Sequence, residues 1–206
     1  LKMNTNKQIG LLSLPVFVAA LGYFVDVYDL LLFTIVRQTS VMSIGSTAET
    51  IIVDSAHIIN WQMSGLLIGG ILWGVLGDKK GRLKVLFGSI LLYSVANILT
   101  SFVQNVDQYA YCRFIGGIGL AGELGAGITL VSEMLPKNKR GIGTSMVAGI
   151  GLFGAVFAYF TFKYTDDWRL CYQIGGVLGF LLLILRVKVA ESFMFESVKM
   201  SKLAKG

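Results

Sequence analysis

The sequence predicts an all-α membrane protein of six transmembrane helices, arranged as two inverted three-helix repeats. Composition is the first support: 54% of the 206 residues are hydrophobic and 15% charged, against about a quarter charged in a soluble domain. The second is that the apolar residues collect into runs of about twenty, the length that crosses roughly 30 Å of hydrocarbon. The third is the placement of the basic residues, which sort by side of the membrane.

Apolar runs bounded by polar breaks fall at about 15–36, 57–77, 83–103, 108–134, 141–162 and 169–187. Lipid offers no partner for backbone N–H and C=O groups, so each run is expected to be a helix. The first is too long for a signal peptide, and no small-residue cleavage site follows it. The longest connection, Arg37 to Asn60, contains the apolar stretch Ile51–Ile59, which could extend the second helix outward. The connections Asp78–Arg82, Gln104–Asp107, Pro136–Arg140 and Lys163–Asp167 are short, so neighbouring helices run antiparallel. The six runs make one bundle over residues 1–190. The polar, basic stretch 191–206 is expected to be a cytoplasmic tail or the start of a central loop.

The net charge of +6 raises nucleic acid as a partner, but no basic helix or basic-aromatic interleaving supports it. The charges follow topology instead. With both termini on one side, that side holds Lys2, Lys7, Lys79, Lys80, Arg82, Lys84, Lys137, Lys139, Arg140, Arg186, Lys188, Lys199, Lys202 and Lys205. The other holds Arg37, Lys163 and Arg169, and Arg113 is left inside a span. The positive-inside rule then places both termini in the cytoplasm of a multi-pass protein of the cell's inner membrane.

No metal or cofactor is expected. Cys112 and Cys171 lie in or beside apolar runs without ligand spacing, and His57 has no Cys or His neighbour. Gly117-Ile-Gly119-Leu-Ala-Gly122 matches a dinucleotide fingerprint, but that motif needs a strand before it and a helix after it. Here it sits within one long apolar run, where small residues at three- and four-residue spacing allow helices to pack closely. Enzyme chemistry is equally unsupported: the chain has no HExxH, no nucleophile elbow and no Cys–His pair.

Ionisable residues inside a bilayer need a partner or a water-filled cavity. Asp26 and Asp29 lie in the first run, Arg113 and Glu123 in the fourth, and Glu133 near the cytoplasmic end of the fourth. Three residues apart, Asp26 and Asp29 share a helix face with about 4.5 Å between them along the axis. Two desolvated carboxylates that close do not both ionise easily, so one is expected to hold a proton. Counting depth from the helix ends puts Arg113 level with Asp29, and Glu123 nearer Asp26. A static Asp29–Arg113 ion pair joining two helices is the alternative. The first and fourth runs lead the two three-helix repeats, and secondary transporters place their functional groups at such corresponding positions.

The stretch Gly74-Val-Leu-Gly77-Asp78-Lys79-Lys80-Gly81-Arg82-Leu83-Lys84 resembles the signature loop of the major facilitator superfamily, GxLaDrxGRkx. Arg113-Phe-Ile-Gly116-Gly117-Ile-Gly119-Leu-Ala-Gly122-Glu123, continuing through Glu133-Met-Leu-Pro136 to Arg140-Gly141, is similar to that family's RxxxGxGxGGE…ExxPxxxRG stretch. The resemblance covers the whole chain and implies the N-terminal half of a twelve-helix fold. It also implies that the charge cluster of Asp78, Arg82, Glu133 and Arg140, with Gly74, Gly77 and Gly81, latches two domains in an outward-open state.

The run Gly22-Tyr23-Phe24-Val25-Asp26-Val27-Tyr28-Asp29-Leu30 looks like the DxYD helix of phosphate and aromatic-acid symporters. Ala121-Gly122-Glu123 is more similar to carboxylate symporters. Both imply proton coupling and a small anion, with Asp26, Asp29, Arg113, Glu123, Tyr23 and Tyr28 as the coupling and substrate residues. Arg113 is the natural counter-charge for an anion. The expected function is therefore proton-coupled transport by alternating access; a non-transporting assembly subunit that keeps the half-fold is the alternative. The missing second half and the leading Leu1 favour a fragment of a longer chain over a half-size carrier that pairs with a second copy.

Overall fold

Six helices in sequence form the whole of the described structure: α1 Leu14–Ser43, α2 Ile51–Lys80, α3 Arg82–Thr100, α4 Val106–Met134, α5 Arg140–Thr165 and α6 Trp168–Leu203. The computed structural model describes residues 13–80 and 82–203, with the side chains at 15, 80, 82–83, 124–134 and 190–203 outside the description. Gly81, Lys2, Lys7 and Lys205, each given a place by the sequence, lie outside the described residues.

Each boundary has a local cause. Ser13, in an extended conformation, precedes a proline in the first turn of α1, where its fixed φ and missing N–H cost nothing. Gly45 at φ +108° lets the chain leave that helix. The α5 helix stops at Asp166, whose left-handed φ of +49° lets its N–H reach the Phe162 carbonyl at 2.8 Å. The next helix is capped at once: Asp167 Oδ1 accepts from the N–H groups of Arg169 (2.8 Å) and Leu170 (3.4 Å).

Three expected boundaries change. The first helix continues past 36 to Ser43, because its last turns have a buried side as well as a polar one: Ser40 and Val41 are buried while Arg37, Gln38 and Thr39 are exposed. The second begins at Ile51, so the apolar stretch before Asn60 does extend it. The sixth runs on through the expected tail to Leu203, although its apolar span ends at Val189. Among the described residues, α1, α2, α5 and α6 are long and apolar enough to cross a membrane. The α3 helix has a shorter apolar stretch, Lys84–Thr100, and α4 carries Arg113 and Glu123 within its length.

Packing is mainly α2 on α4, α1 on α5, and α3 on both α4 and α6. Near the C-terminal end of α1 the core is aromatic: Tyr28, Phe33, Tyr109, Trp168 and Tyr172 with Leu32, Val36 and Ile58. At the opposite end Val16, Ala19 and Ala20 of α1 meet Leu135 and Val147. Between them Val18 and Val25 pack with Ile90, Tyr93 and Leu182. Without a hydrophobic drive between helices in lipid, close backbone approach supplies the contact energy. A Cβ at Gly154 would strike the Phe24 carbonyl oxygen, and one at Gly65 would strike that of Phe114. The fingerprint-like glycines have the same use: Gly117 faces the α2 backbone at Gln62, Gly119 the Tyr93 backbone and Gly122 the Ser89 side chain.

Replacing Gly154 with valine is therefore expected to cost about 1–3 kcal/mol or more through overpacking of α1 against α5. Thermal unfolding of the purified protein in detergent reads this as a lowered midpoint. Gly70→Ala, where no neighbour lies within 4 Å among the described residues, is expected to stay within about 0.5 kcal/mol of wild type.

Candidate functional site

Among the described residues, five acidic or basic side chains lie in the interior, at relative exposures of 1% for Asp26, 0% for Asp29 and Arg113, 1% for Glu123 and 7% for Arg186. They come from α1, α4 and α6, and they divide into two groups of unlike character.

In the first group the guanidinium is saturated, although the amide nitrogens of its partners Gln62 and Asn97 are buried without a hydrogen-bond partner among the described residues. Arg113 has five N–H donors, and each meets an acceptor. Nη1 donates to Asp29 Oδ1 at 3.1 Å and Asn97 Oδ1 at 3.0 Å. Nη2 donates to Asp29 Oδ2 and to the Asp29 carbonyl, both at 3.3 Å. Nε donates to Gln62 Oε1 at 3.3 Å. The Tyr172 ring lies beneath the guanidinium, 5.3 Å from its centroid to Cζ. One cation thus ties together α1, α2, α3 and α4 and stacks on α6, through the fork geometry that distinguishes arginine from lysine.

The second group is not saturated. Arg186 Nη2 donates to Glu123 Oε1 in an ion pair between α6 and α4. Arg186 Nε and Nη1, Glu123 Oε2, Asp26 Oδ1 and the Tyr93 hydroxyl are all buried without a hydrogen-bond partner among the described residues. Buried polar atoms are normally paired, and these five are not.

The two aspartates expected to share a proton have different nearest partners. Asp29 belongs to Arg113, and Asp26 faces Glu123 and Arg186. Of the two expected tyrosines, neither joins the acids: Tyr28 donates to the Cys171 carbonyl at 2.8 Å, and Tyr23 packs over Gly151 of α5. Arg186 was expected among the cytoplasmic charges. It is a buried partner instead, because α6 continues past it and carries it inside the bundle. Gln62, Asn97 and Tyr93 also went unrecognised as site residues; a polar residue amid an apolar run was the available signal.

The latch residues are partly visible. Asp78 is exposed in the last turn of α2. Gly77 is spaced from Val85 so that a Cβ would sit 3.7 Å from Cγ2, while Gly74 faces open space. Arg140 is exposed and donates from Nε to the Leu135 carbonyl at 3.0 Å. Gly81 and the side chains of Arg82 and Glu133 lie outside the described residues.

Comparison with known proteins fits this architecture. Residues 12–199 match the Major Facilitator Superfamily, and the chain belongs to that family. It is 31% identical over 180 residues to a putative metabolite transport protein of Haemophilus influenzae, covering 86% of this chain and 43% of the relative. The niacin transporter NiaP of Acinetobacter baylyi is 30% identical over 179 residues, covering 85% of this chain and 40% of that one. The 4-hydroxybenzoate transporter PcaK of Pseudomonas putida is 32% identical over 146 residues, 69% of this chain and 33% of the relative. The chain thus spans about two fifths of the first two relatives' length. Among solved structures, the inward-open xylose transporter XylE from E. coli superposes with a TM-score of 0.74 at 20% identity, over 84% of this chain and 46% of that one. These relatives are transporters and not enzymes.

Removing the guanidinium by Arg113→Gln leaves Asp29 buried and uncompensated, at an expected cost of about 3–5 kcal/mol. The double variant Asp29→Asn/Arg113→Gln is expected to recover most of that loss, because no charge then remains to be balanced. Thermal unfolding of wild type and the variants in detergent checks both statements.

Proposed function

We propose that the protein containing this chain is a proton-coupled symporter of a small organic anion, working by alternating access in the inner membrane. The observation that carries the reading is the charge of the interior. Among the described residues, three buried carboxylates stand against two buried guanidiniums, which leaves one negative charge in a medium that supplies no counter-ions. Asp29 is matched by Arg113 and Glu123 by Arg186, so Asp26 is the acid left over. One proton on Asp26 neutralises the core, and its loss restores the charge. A carrier needs a group whose protonation decides whether the loaded bundle can swing.

Two relatives are named for niacin and 4-hydroxybenzoate, which supports an aromatic carboxylate as substrate. Arg113 is the counter-charge proposed for it, and Asp29 holds that place in the present arrangement. An incoming carboxylate would compete with Asp29 for the same fork. Tyr23 and Tyr28, next to the acids in α1, complete the proposed residues.

The bundle is proposed to rock against a second six-helix bundle, supplied by the same polypeptide or by a second copy, with both of its ends in the cytoplasm. Open glycines support a partner face: Gly70 and Gly74 on α2, and Gly141 and Gly149 on α5, have no neighbour within 4 Å among the described residues. The inverted repeat is supported by reciprocal packing. Exchanging α1 with α4, α2 with α5 and α3 with α6 turns the α1–α5 contact into the α2–α4 contact and leaves α3–α6 unchanged, and all three are major contacts. Gly74, Gly77, Asp78, Gly81, Arg82, Glu133 and Arg140 are the proposed latch, held where a single residue separates α2 from α3.

The test uses the full-length protein in proteoliposomes, with labelled 4-hydroxybenzoate, nicotinate and a panel of other anions. Uptake driven by an imposed inward proton gradient is expected, and Asp26→Asn is expected to make the rate independent of that gradient. Gradient-driven uptake that persists unchanged in Asp26→Asn would remove Asp26 from the mechanism. No gradient-driven uptake of any anion by the wild type would remove symport itself.

A further inference from the structure

We infer that Arg186 is a counter-ion shared by two carboxylates, Glu123 and Asp26, and that Gly22 is the backbone seat on which it moves between them. The inference rests on the proton-coupled reading of this bundle and concerns how the proton site is set.

Three observations lead to it. The first is position. A Cβ at Gly22 would overlap both Arg186 Nη2 and Glu123 Oε1, and would lie 3.3 Å from Arg186 Cζ. The Glu123–Arg186 pair therefore lies flat on the α1 backbone at Gly22. Asp26 is four residues further along, on the same face and about 6 Å away along the axis. Any side chain at position 22 would lift the pair off the helix that carries Asp26.

The second is unused bonding capacity. Arg186 spends one nitrogen on Glu123 and leaves Nε and Nη1 unpartnered, while Asp26 Oδ1 and Glu123 Oε2 are unpartnered acceptors in the same cluster. By contrast, every donor of Arg113 is engaged. Of the two buried cations among the described residues, Arg186 is the one with donors to offer a second carboxylate.

The third is the electrostatic neighbourhood. The charged and titratable groups that act on Asp26 and on its neighbour Tyr93 are Glu123 from α4, Arg186 from α6 and Asp29 on α1 itself. Asp29 is held by Arg113, so Arg186 is the cation within reach. With Asp26 protonated, Arg186 rests on Glu123 and ties α6 to α4. When the proton leaves Asp26 for solvent, its carboxylate draws the guanidinium along α1, and α6 is held to α1 as well. Arg186 and Gly22 are positioning residues in this scheme, and Asp26 remains the group that carries the proton.

The experiment compares pH profiles of uptake in proteoliposomes of the full-length protein, each normalised to its own maximum, for wild type, Glu123→Gln/Arg186→Gln and Gly22→Ala. The double variant removes equal and opposite charge. If Glu123 and Arg186 kept the positions they hold here, Glu123 would act on Asp26 more strongly than Arg186 does, so removing both would leave the midpoint unchanged or lower it. A shared counter-ion predicts the opposite, that the external pH of half-maximal uptake rises by about one to three units, since losing a guanidinium that moves onto the ionised Asp26 then outweighs losing Glu123. Gly22→Ala keeps every ionisable group and is expected to shift the midpoint in the same direction by less. Glu123→Gln alone, which dedicates Arg186 to Asp26, is expected to shift it the opposite way. A double-variant profile that overlays wild type or shifts down, or a Gly22→Ala profile that overlays wild type, overturns the inference while leaving symport standing. Wild-type uptake that ignores the proton gradient overturns symport and the inference with it.

Discussion

Charge balance in a medium without counter-ions is the constraint on which this structure turns. A charged side chain deep in lipid must find its opposite within the protein, and the bundle is built around that requirement. The α1 helix, which carries both aspartates, is the most buried of the four apolar spans and contacts α2, α4, α5 and α6. The Asp29–Arg113 contact meets the requirement completely. It joins groups from three helices around one guanidinium and adds Gln62 and Tyr172 at its edges. The Asp26, Glu123 and Arg186 cluster meets it only in part, with two carboxyl groups beside one guanidinium and polar atoms left without partners among the described residues.

The small residues serve the same end. Arg113 reaches Asp29 because α4 lies close to its neighbours, and α4 lies close because Gly117 and Gly119 leave room for the α2 and α3 backbones. Trp73 reinforces the contact by donating from Nε1 to the Ile118 carbonyl at 2.6 Å. The aromatic cluster at the C-terminal end of α1 closes one end of the bundle: Tyr109 donates to the Tyr172 hydroxyl at 2.9 Å, and Trp168 Nε1 to Ser43 Oγ at 2.9 Å. Interhelical hydrogen bonds and close backbone contact thus carry the packing that a hydrophobic core carries in a soluble domain.

Six helices and the level of Arg113 against Asp29 were legible in the sequence, because run length and depth along a helix follow from counting. Helix ends were less so. Arg37, Gln38 and Thr39 read as loop, and only the buried Ser40 and Val41 beyond them show that the helix continues. That Asp26 and Asp29 have different nearest partners was hidden for another reason. Spacing places both on one face of α1, but which neighbour each meets depends on how α4 and α6 cross it. Arg186 was the largest omission. At the end of an apolar run and two residues from Lys188, it looked like a topological charge, and its partner Glu123 lies 63 positions away. Inside the spans the sequence showed three acids, Asp26, Asp29 and Glu123, against one base, Arg113, which left two acids over. That imbalance pointed to a missing cation as much as to a proton.

The central claim is that the buried core carries one uncompensated carboxyl and that this carboxyl is Asp26. Infrared difference spectroscopy of the full-length protein in lipid nanodiscs, titrated with pH, tests it most directly. The account predicts a protonated-carboxyl carbonyl band that disappears in Asp26→Asn and persists in Asp29→Asn. A band that persists in Asp26→Asn and disappears in Asp29→Asn would contradict it, and would place the proton on the acid held by Arg113.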